Sequence, residues 1–441
     1  MRRALPALLL SAALLAGCSA PGGSGQSSSS QAEGSQSSSS AQDSGTVQVH
    51  TDWSVLENGA ETLSTIWNRW YDDYTDHLIP RKDYGTLLPF AGAQVVLHPP
   101  EGEAEDSSYV SSNCLYGLMT QEGTVVMDPV CTSIYRVSYL ADMGDTVSLP
   151  VLVLEKGDKD QGAAVSGTLL ALAAADGSWC TDFAYWGCAA SPTAILAGGK
   201  DGMDLLAPQT GEVVKEWSWT ELGIETADSV PWFTGDAYSS VQWIGDRFFL
   251  GCYGANGDTA RFLDPMTGEV TTSSAQDWYN TLDEMFRSAP QTWWDAKANG
   301  DGTYTLTMGD ESHTIPAPLD MGDALPYVAG GDRVIFEDGQ GAFAITDLAG
   351  KVILPKREGT LAVLQNDWEG SGAWLAVRLE GETLWLIYNW DGTLVSSVPG
   401  ATDSLCSTSG SLVEVRSDSM ASYYRPEDGI CVLRVYFGLS G

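Results

Sequence analysis

Two neighbouring tryptophans, Trp293 and Trp294, are the side chains of this sequence best suited to binding a ligand. An indole ring presents a flat apolar face that stacks on sugars or peptides, although the same ring also packs well in a protein core. Neighbouring side chains on a strand point to opposite faces, so the two rings cannot both face the interior. We therefore predict that one of the pair is exposed and binds a ligand.

Sequence patterns typical of catalysis are absent. The sequence contains four histidines: His50, His77, His98 and His313. None has zinc-site spacing, and there is no Gly-x-Ser-x-Gly motif and no phosphate-binding glycine loop. We predict no catalytic residue and no cofactor. An enzyme that uses two of the 58 acidic side chains to hydrolyse glycosidic bonds stays open as an alternative.

Two acidic turns, at 158–162 and 299–302, carry oxygen ligands of the kind that Ca²⁺ takes. Neither continues to the Glu that closes an EF-hand loop, which favours a solvated turn at both places. We therefore predict no metal site.

Composition excludes one class of partner and favours one class of fold. The 441 residues include 58 acidic and 22 basic side chains, for a formal net charge of -36. Nucleic-acid binding depends on Lys and Arg neutralising phosphates, so no nucleic-acid partner is expected. Hydrophobic residues make up 43%, enough for a large core. The 48 glycines and 16 tryptophans favour an exported all-β protein with many tight turns.

The first eighteen residues predict a lipid anchor. Residues 1–17 form a lipoprotein signal peptide, with two arginines, an apolar run at 4–15 and the sequence Leu-Ala-Gly before Cys18. The run is too short to span a bilayer. We predict that Cys18 is acylated and holds the chain to the extracytoplasmic face of the cell membrane.

The chain after Cys18 divides into three segments. Residues 18–50 are rich in Ser, Gly and Gln, which predicts a disordered linker. Residues 51–82 carry apolar side chains at steps of three and four, which predicts one short amphipathic helix that Pro80 ends. Its aromatic stripe is expected to pack on the rest of the fold. Residues 83–441 form the predicted repeat domain.

Short β-like runs joined by glycine turns repeat through this domain. The turn glycines are Gly123, Gly177, Gly211, Gly268, Gly302, Gly350, Gly392 and Gly429. Each is expected to take a positive φ, which glycine adopts without strain. Their mean spacing of about 44 residues matches the length of a four-stranded propeller blade. We predict a β-propeller with seven blades favoured and eight as the alternative, and a pair of β-sandwiches as the competing fold.

The repeats resemble two known types. Residues 116–129 resemble a WG-type repeat, whereas 205–217 and 262–270 are similar to PQQ-type propeller repeats. In the PQQ-type resemblance, Trp217 would pack between blades. The chain thus resembles a WG-repeat or PQQ-like-repeat surface lipoprotein of unknown function. This resemblance implies a non-catalytic propeller that binds a protein or a glycan, and leaves an envelope assembly factor open as an alternative.

The cysteines allow two interpretations. Besides Cys18 there are seven, an odd number, so they cannot all form disulfides within the chain. Three pairs have a spacing that could join neighbouring strands: Cys114–Cys131, Cys180–Cys188 and Cys406–Cys431. Small buried thiols are the equally good interpretation.

Overall fold

The structure of the protein is a computed structural model. It describes residues 48–49, 79, 81–96, 112–141, 145–157, 168–224, 233, 240–254, 257–289, 291–365, 373–418 and 420–436. The predicted signal peptide, Cys18 and nearly all of the predicted linker lie outside the described residues. So does the predicted helix at 51–82, apart from bends at its end.

The described chain is almost entirely antiparallel and forms six sheets, of which those at 133–218 and 327–399 have seven strands each. Each seven-stranded sheet spans two propeller units, so we divide the strands into eight consecutive units. Unit 1 contains β2 (Leu88–Val96), β3 (Ser112–Met119) and β4 (Val125–Cys131). Unit 2 contains β5 (Ser133–Ala141), β6 (Asp145–Gly157) and β7 (Thr168–Ala174). Unit 3 contains β8 (Tyr185–Ala190), β9 (Ile195–Gly199), β10 (Gly202–Leu206) and β11 (Val213–Ser218). Unit 4 contains β12 (Gln242–Ile244), β13 (Arg247–Tyr253), β14 (Thr259–Leu263) and β15 (Val270–Ser274), followed by the helix α1 (Ala275–Ser288).

The second half of the chain repeats the same plan. Unit 5 contains β16 (Asp295–Ala298), β17 (Thr303–Met308) and β18 (Glu311–Pro316). Unit 6 contains β19 (Tyr327–Ala329), β20 (Arg333–Glu337), β21 (Ala342–Asp347) and the first part of β22 (Val352–Gln365). Unit 7 contains the second part of β22 with β23 (Ala373–Leu379), β24 (Leu384–Asn389) and β25 (Leu394–Pro399). Unit 8 contains β26 (Leu405–Ser409), β27 (Leu412–Ser417), β28 (Met420–Tyr424) and β29 (Cys431–Tyr436), and β1 (Gln48–Val49) pairs with β29 in parallel.

The last unit packs against the first, which closes the series into a propeller. Leu88 and Phe90 of unit 1 share a buried cluster with Tyr423 and Leu433 of unit 8. The backbone N–H of Ala91 donates to the Tyr423 hydroxyl at 2.5 Å across this contact. The predicted propeller is confirmed, and its eight units match the eight-blade alternative. Two separate sandwiches would lack this closure.

Hydrophobic clusters join neighbouring units because alternate side chains of each strand point to opposite faces. In β13, Phe248 and Leu250 pack toward unit 3, whereas Phe249 between them points the other way. Trp217 of β11 is buried in the cluster that joins units 3 and 4. A single small sheet cannot bury both of its faces, so each unit depends on its neighbours.

The glycine turns lock the units together. All eight glycines named from the sequence have positive φ, between 68° and 85°, as predicted. Five of them lie against a strand of the preceding unit in ring order, whereas Gly177 lies against residues 82–87 before β2 and Gly211 lies against Trp179 between β7 and β8. A Cβ added at Gly392 would lie 2.6 Å from the Ile353 carbonyl oxygen of unit 6, and one at Gly123 would lie 2.1 Å from that of Val432 in unit 8. The last contact again links the first unit to the last.

Aspartates stabilise these turns. The Asp347 carboxylate accepts hydrogen bonds from the backbone N–H groups of Ala349 and Lys351, both at 2.9 Å. Asp264 and Asp338 accept backbone N–H groups in the same manner, and these bonds hold the pKa of both carboxyls below the usual range. Some of the many acidic side chains of this protein therefore stabilise turns.

The cysteine pairs proposed from spacing are not bonded. Cys131, Cys180, Cys188, Cys406 and Cys431 form no disulfide in the structure. Burial raises the pKa of the Cys180 and Cys188 thiols to about 12. The buried-thiol interpretation is therefore correct for Cys131, Cys180 and Cys431, whereas Cys188 and Cys406 are half-buried free thiols.

Candidate functional site

The interface between units 4 and 5 differs from the others in the propeller. Hydrophobic clusters connect every other neighbouring pair of units, but no cluster of the described residues includes side chains from both units 4 and 5. The last hairpin turn of unit 5 agrees, because a Cβ added at Gly309 would meet nothing within 4 Å, whereas one at the corresponding Gly350 or Gly392 would meet the preceding unit. Among the described residues, units 4 and 5 are therefore the neighbouring pair without shared apolar packing.

Helix α1 covers the face of unit 4 that would otherwise meet unit 5. The Ser274 hydroxyl caps the helix by accepting the Asp277 N–H at 3.0 Å. Trp278 and Leu282 lie on one face because they are four residues apart. The Trp278 ring is 4.9 Å from Phe249 and 5.0 Å from Phe262, measured between ring centroids. The helix thus buries the apolar side of unit 4.

The outer side of α1 is polar. Gln276, Asn280, Asp283 and Arg287 are exposed along it. The Gln276 side-chain amide donates to the side-chain oxygen Oδ1 of Asn280 at 3.2 Å. The Arg287 guanidinium nitrogen lies 4.0 Å from a carboxylate oxygen of Asp283. Water or a hydrophilic ligand, and not an apolar sheet, is the environment that suits this surface.

Unit 5 presents a polar sheet face on the opposite side of the interface. Tyr304 and Leu306 of β17 pack toward unit 6. The alternate residues of β17 and one residue of β18 form what we call the threonine face: Thr303, Thr305, Thr307 and Thr314. This face points away from unit 6, on the side of unit 4 in the order of the ring.

The polar groups of the threonine face are held in place by hydrogen bonds. The hydroxyls of Thr305 and Thr314 are 3.4 Å apart across the strand pair. The Asn299 amide donates to the hydroxyls of Thr303 and Thr305 at 2.9 and 3.1 Å. The Thr303 hydroxyl also donates to Asp301, and this bond is the main cause that lowers the pKa of that carboxyl. The face is thus an ordered array of hydroxyl and amide groups.

Trp293 and Trp294 lie in the segment between α1 and β16, and their side chains have different environments. Trp293 is 52% exposed, whereas Trp294 packs on the cluster that joins units 5 and 6, with its ring 5.6 Å from His313. One ring of the pair is exposed, as predicted, although both residues precede β16 and lie outside the strand; the binding role of the pair stays a prediction. The Gln291 amide fixes the connecting segment by donating to the Trp293 carbonyl oxygen at 2.9 Å and to the Asp295 carboxylate at 3.0 Å. Since Trp294 faces unit 6, Trp293 is directed away from it.

Buried acids lie elsewhere in the ring. Glu155 of unit 2 accepts the Tyr135 hydroxyl at 2.9 Å, and Glu414 of unit 8 accepts the hydroxyls of Tyr423 and Ser407 at 3.3 and 3.4 Å. Burial raises the pKa of both carboxyls. Glu155 lies on β6 and Glu414 lies on β27, so neither belongs to unit 5 or to the threonine face.

The described ranges contain neither a metal-binding cluster nor a membrane-spanning helix. No group of three or more His, Cys, Asp or Glu side chains there is placed to hold a metal ion. At 299–302, the side chains of Asn299 and Asp301 bond to Thr303 and serve the turn, and 158–162 lies outside the described residues. No helix of the described chain has both the length and the apolarity needed to cross a bilayer.

Comparison with known proteins gives structural similarity alone. No family model matches the chain, and no curated protein matches it. Similar solved structures include a eukaryotic initiation factor, with a TM-score of 0.32 and 11% identity over 80% of this chain and 96% of that chain. Dihydro-heme d1 dehydrogenase NirN gives 0.32 and 10% over 81% and 74%, and BamB from Moraxella catarrhalis gives 0.22 and 14% over 69% and 90%. At such TM-scores the fold assignment depends on the strand order and unit packing described above.

Sequence reasoning missed helix α1 and the threonine face. The helix had a readable signal, because Ser274 is a good N-cap and Trp278, Leu282 and Met285 follow at steps of four and three. The alternation of Thr303, Thr305 and Thr307 with Tyr304 and Leu306 was equally visible, and it predicts a strand with one polar face. Neither signal reveals that the two polar surfaces share one interface, because that depends on the order of the ring.

Proposed function

We propose that this protein is a membrane-anchored extracytoplasmic lipoprotein whose propeller binds a protein or glycan ligand without catalysis. The interface between units 4 and 5 carries the proposal. Seven interfaces of the described ring are closed by buried apolar side chains, whereas this one presents ordered hydroxyls, amides and an exposed indole. Such a surface suits recognition more than structural packing.

The anchor rests on the sequence around Cys18 and is tested separately. Cells expressing the full chain are grown with an alkyne fatty acid, and the protein is followed by click labelling and membrane fractionation. We expect label on the wild type, and for Cys18→Ala neither label nor membrane retention. A Ser19→Ala variant is the matched control and should keep both. A Cys18→Ala protein that stays labelled and membrane-bound contradicts the anchor.

The binding role is tested with the folded chain lacking residues 1–18, so that lipid does not obscure the result. Immobilised protein is exposed to a glycan array and, in parallel, to solubilised envelope from the expressing cells, with a Trp293→Ala variant as the paired bait. A glycan or protein retained by the wild type at micromolar affinity supports the proposal. The proposal is contradicted if the protein binds nothing from either the glycan array or the envelope extract, or if it turns over a glycan.

A further inference from the structure

We infer that the threonine face, together with Trp293, binds a neutral oligosaccharide chain in an extended conformation. This inference rests on the proposed function and names its ligand class. It follows from the chemistry of one surface: hydroxyl and amide groups in regular rows, a flat exposed ring where the chain enters the same sheet, and no apolar contact from unit 4 among the described residues.

The spacing of the polar groups suits a chain of sugar rings. Thr303, Thr305 and Thr307 are alternate residues of β17, so their side chains repeat at about 6.7 Å along the strand. Thr314 lies opposite Thr305 on the neighbouring strand, at a strand separation of about 4.8 Å. Threonine hydroxyls and the Asn299 amide each donate and accept hydrogen bonds. Sugar hydroxyls have the same dual capacity.

A protein ligand fits this surface less well. The central contacts of protein interfaces are dominated by aromatic residues and arginine in desolvated pockets. The threonine face offers short polar side chains, and Trp293 is its one large exposed apolar group within the described residues of unit 5. An aromatic ring beside hydrogen-bonding groups suits a sugar, because the C–H face of the sugar stacks on the ring while its hydroxyls bond to the sheet.

Charge selects a neutral chain. The protein has a formal net charge of -36, and the exposed carboxylates of Asp295 and Asp301 lie on unit 5 beside the threonine face. One exposed cation, Lys297, lies opposite Thr305 on the neighbouring strand. Helix α1 of unit 4 exposes three more acidic side chains: Asp277, Asp283 and Glu284. Because the carboxylates outnumber this cation, a polyanionic chain would be repelled, whereas an uncharged chain meets no such penalty.

The experiment is calorimetric titration of the full folded domain with neutral hexasaccharides of glucose, mannose, galactose, xylose and N-acetylglucosamine, and with an anionic galacturonate hexamer. We expect at least one neutral hexamer to bind and the anionic one not to. Trp293→Ala should weaken binding about tenfold, from the loss of an aromatic contact. Thr305→Val, which keeps the shape and removes the hydroxyl, should weaken it about threefold to tenfold.

Matched controls lie on unit 8, where Leu405 is 60% exposed and Thr402 is exposed in a turn. Leu405→Ala and Thr402→Val should leave the affinity unchanged. Circular dichroism of each variant confirms that it folds. The inference is overturned if no neutral hexamer binds, if binding is unchanged in Trp293→Ala and Thr305→Val, or if the galacturonate hexamer binds equally well. If no neutral hexamer binds while an envelope protein is retained equally by wild type and Trp293→Ala, the inference is overturned and the proposed function is left intact.

Discussion

Replacing single turn glycines with alanine tests whether the ring is closed everywhere except between units 4 and 5. Gly123 and Gly309 both lie in the last hairpin turn of their units and have positive φ, 81° and 58°, so alanine costs each about 1–2 kcal/mol from left-handed backbone strain. At Gly123 the new Cβ would also lie 2.1 Å from the Val432 carbonyl oxygen, and the two units must separate to admit it. Overpacking of this kind adds about 1–3 kcal/mol. At Gly309 the Cβ meets nothing within 4 Å.

We therefore expect Gly123→Ala to lower the free energy of unfolding by about 2–5 kcal/mol and Gly309→Ala by about 1–2 kcal/mol. Urea unfolding followed by tryptophan fluorescence measures both. Gly392→Ala, whose Cβ would lie 2.6 Å from the Ile353 carbonyl oxygen, should lose as much stability as Gly123→Ala. Equal losses for Gly123→Ala and Gly309→Ala would refute the reasoning, because they would mean that unit 5 is packed on its neighbour as tightly as unit 1 is.

Two further predictions concern buried side chains. Trp278→Ala should lower the free energy of unfolding by about 3–5 kcal/mol and expose Phe249 and Phe262 to a hydrophobic dye. Replacing the exposed Asn280 with alanine should do neither. Equal dye binding by the two variants would contradict the packing of α1. Burial raises the pKa of Glu414 above its ordinary value near 4.5, so the folded state favours the protonated acid. The stability this gives is present below about pH 4.5 and is lost as the pH rises through the folded pKa. Relative to Glu414→Gln, wild-type stability should fall over that window in urea titrations, and parallel pH profiles would contradict it.

The repeated turns were readable from the sequence because their requirement is local. A glycine in a short turn between two apolar runs specifies a hairpin by itself, and all eight turn glycines have the positive φ that such a turn requires. The same locality explains why the propeller was predictable while its blade number was left between seven and eight. Gly302 resembles the other turns in sequence, yet it joins β16 to β17, one strand pair earlier than Gly350 or Gly392 in their units.

Only part of the candidate site could be predicted from the sequence. Two adjacent tryptophans cannot share one face of a strand, so the separation of Trp293 from Trp294 followed from the sequence. Which of the two is exposed did not, because it depends on the packing of Trp294 against unit 6. The polar interface depends on helix α1 covering Phe249 and Phe262, a long-range relation between separate segments that local patterns do not encode.

The lack of apolar contact between the described residues of units 4 and 5 also bears on how the protein unfolds. In a closed ring every unit packs on two neighbours, so no unit is favoured to unfold first. Among the described residues, units 4 and 5 each share buried apolar packing with one neighbour only, so the ring resembles a linear repeat array with two ends. We expect unfolding to begin at units 4 and 5 and to proceed from each to the next unit around the ring. The contact between units 8 and 1, on the opposite side of the ring, should be among the last to be lost.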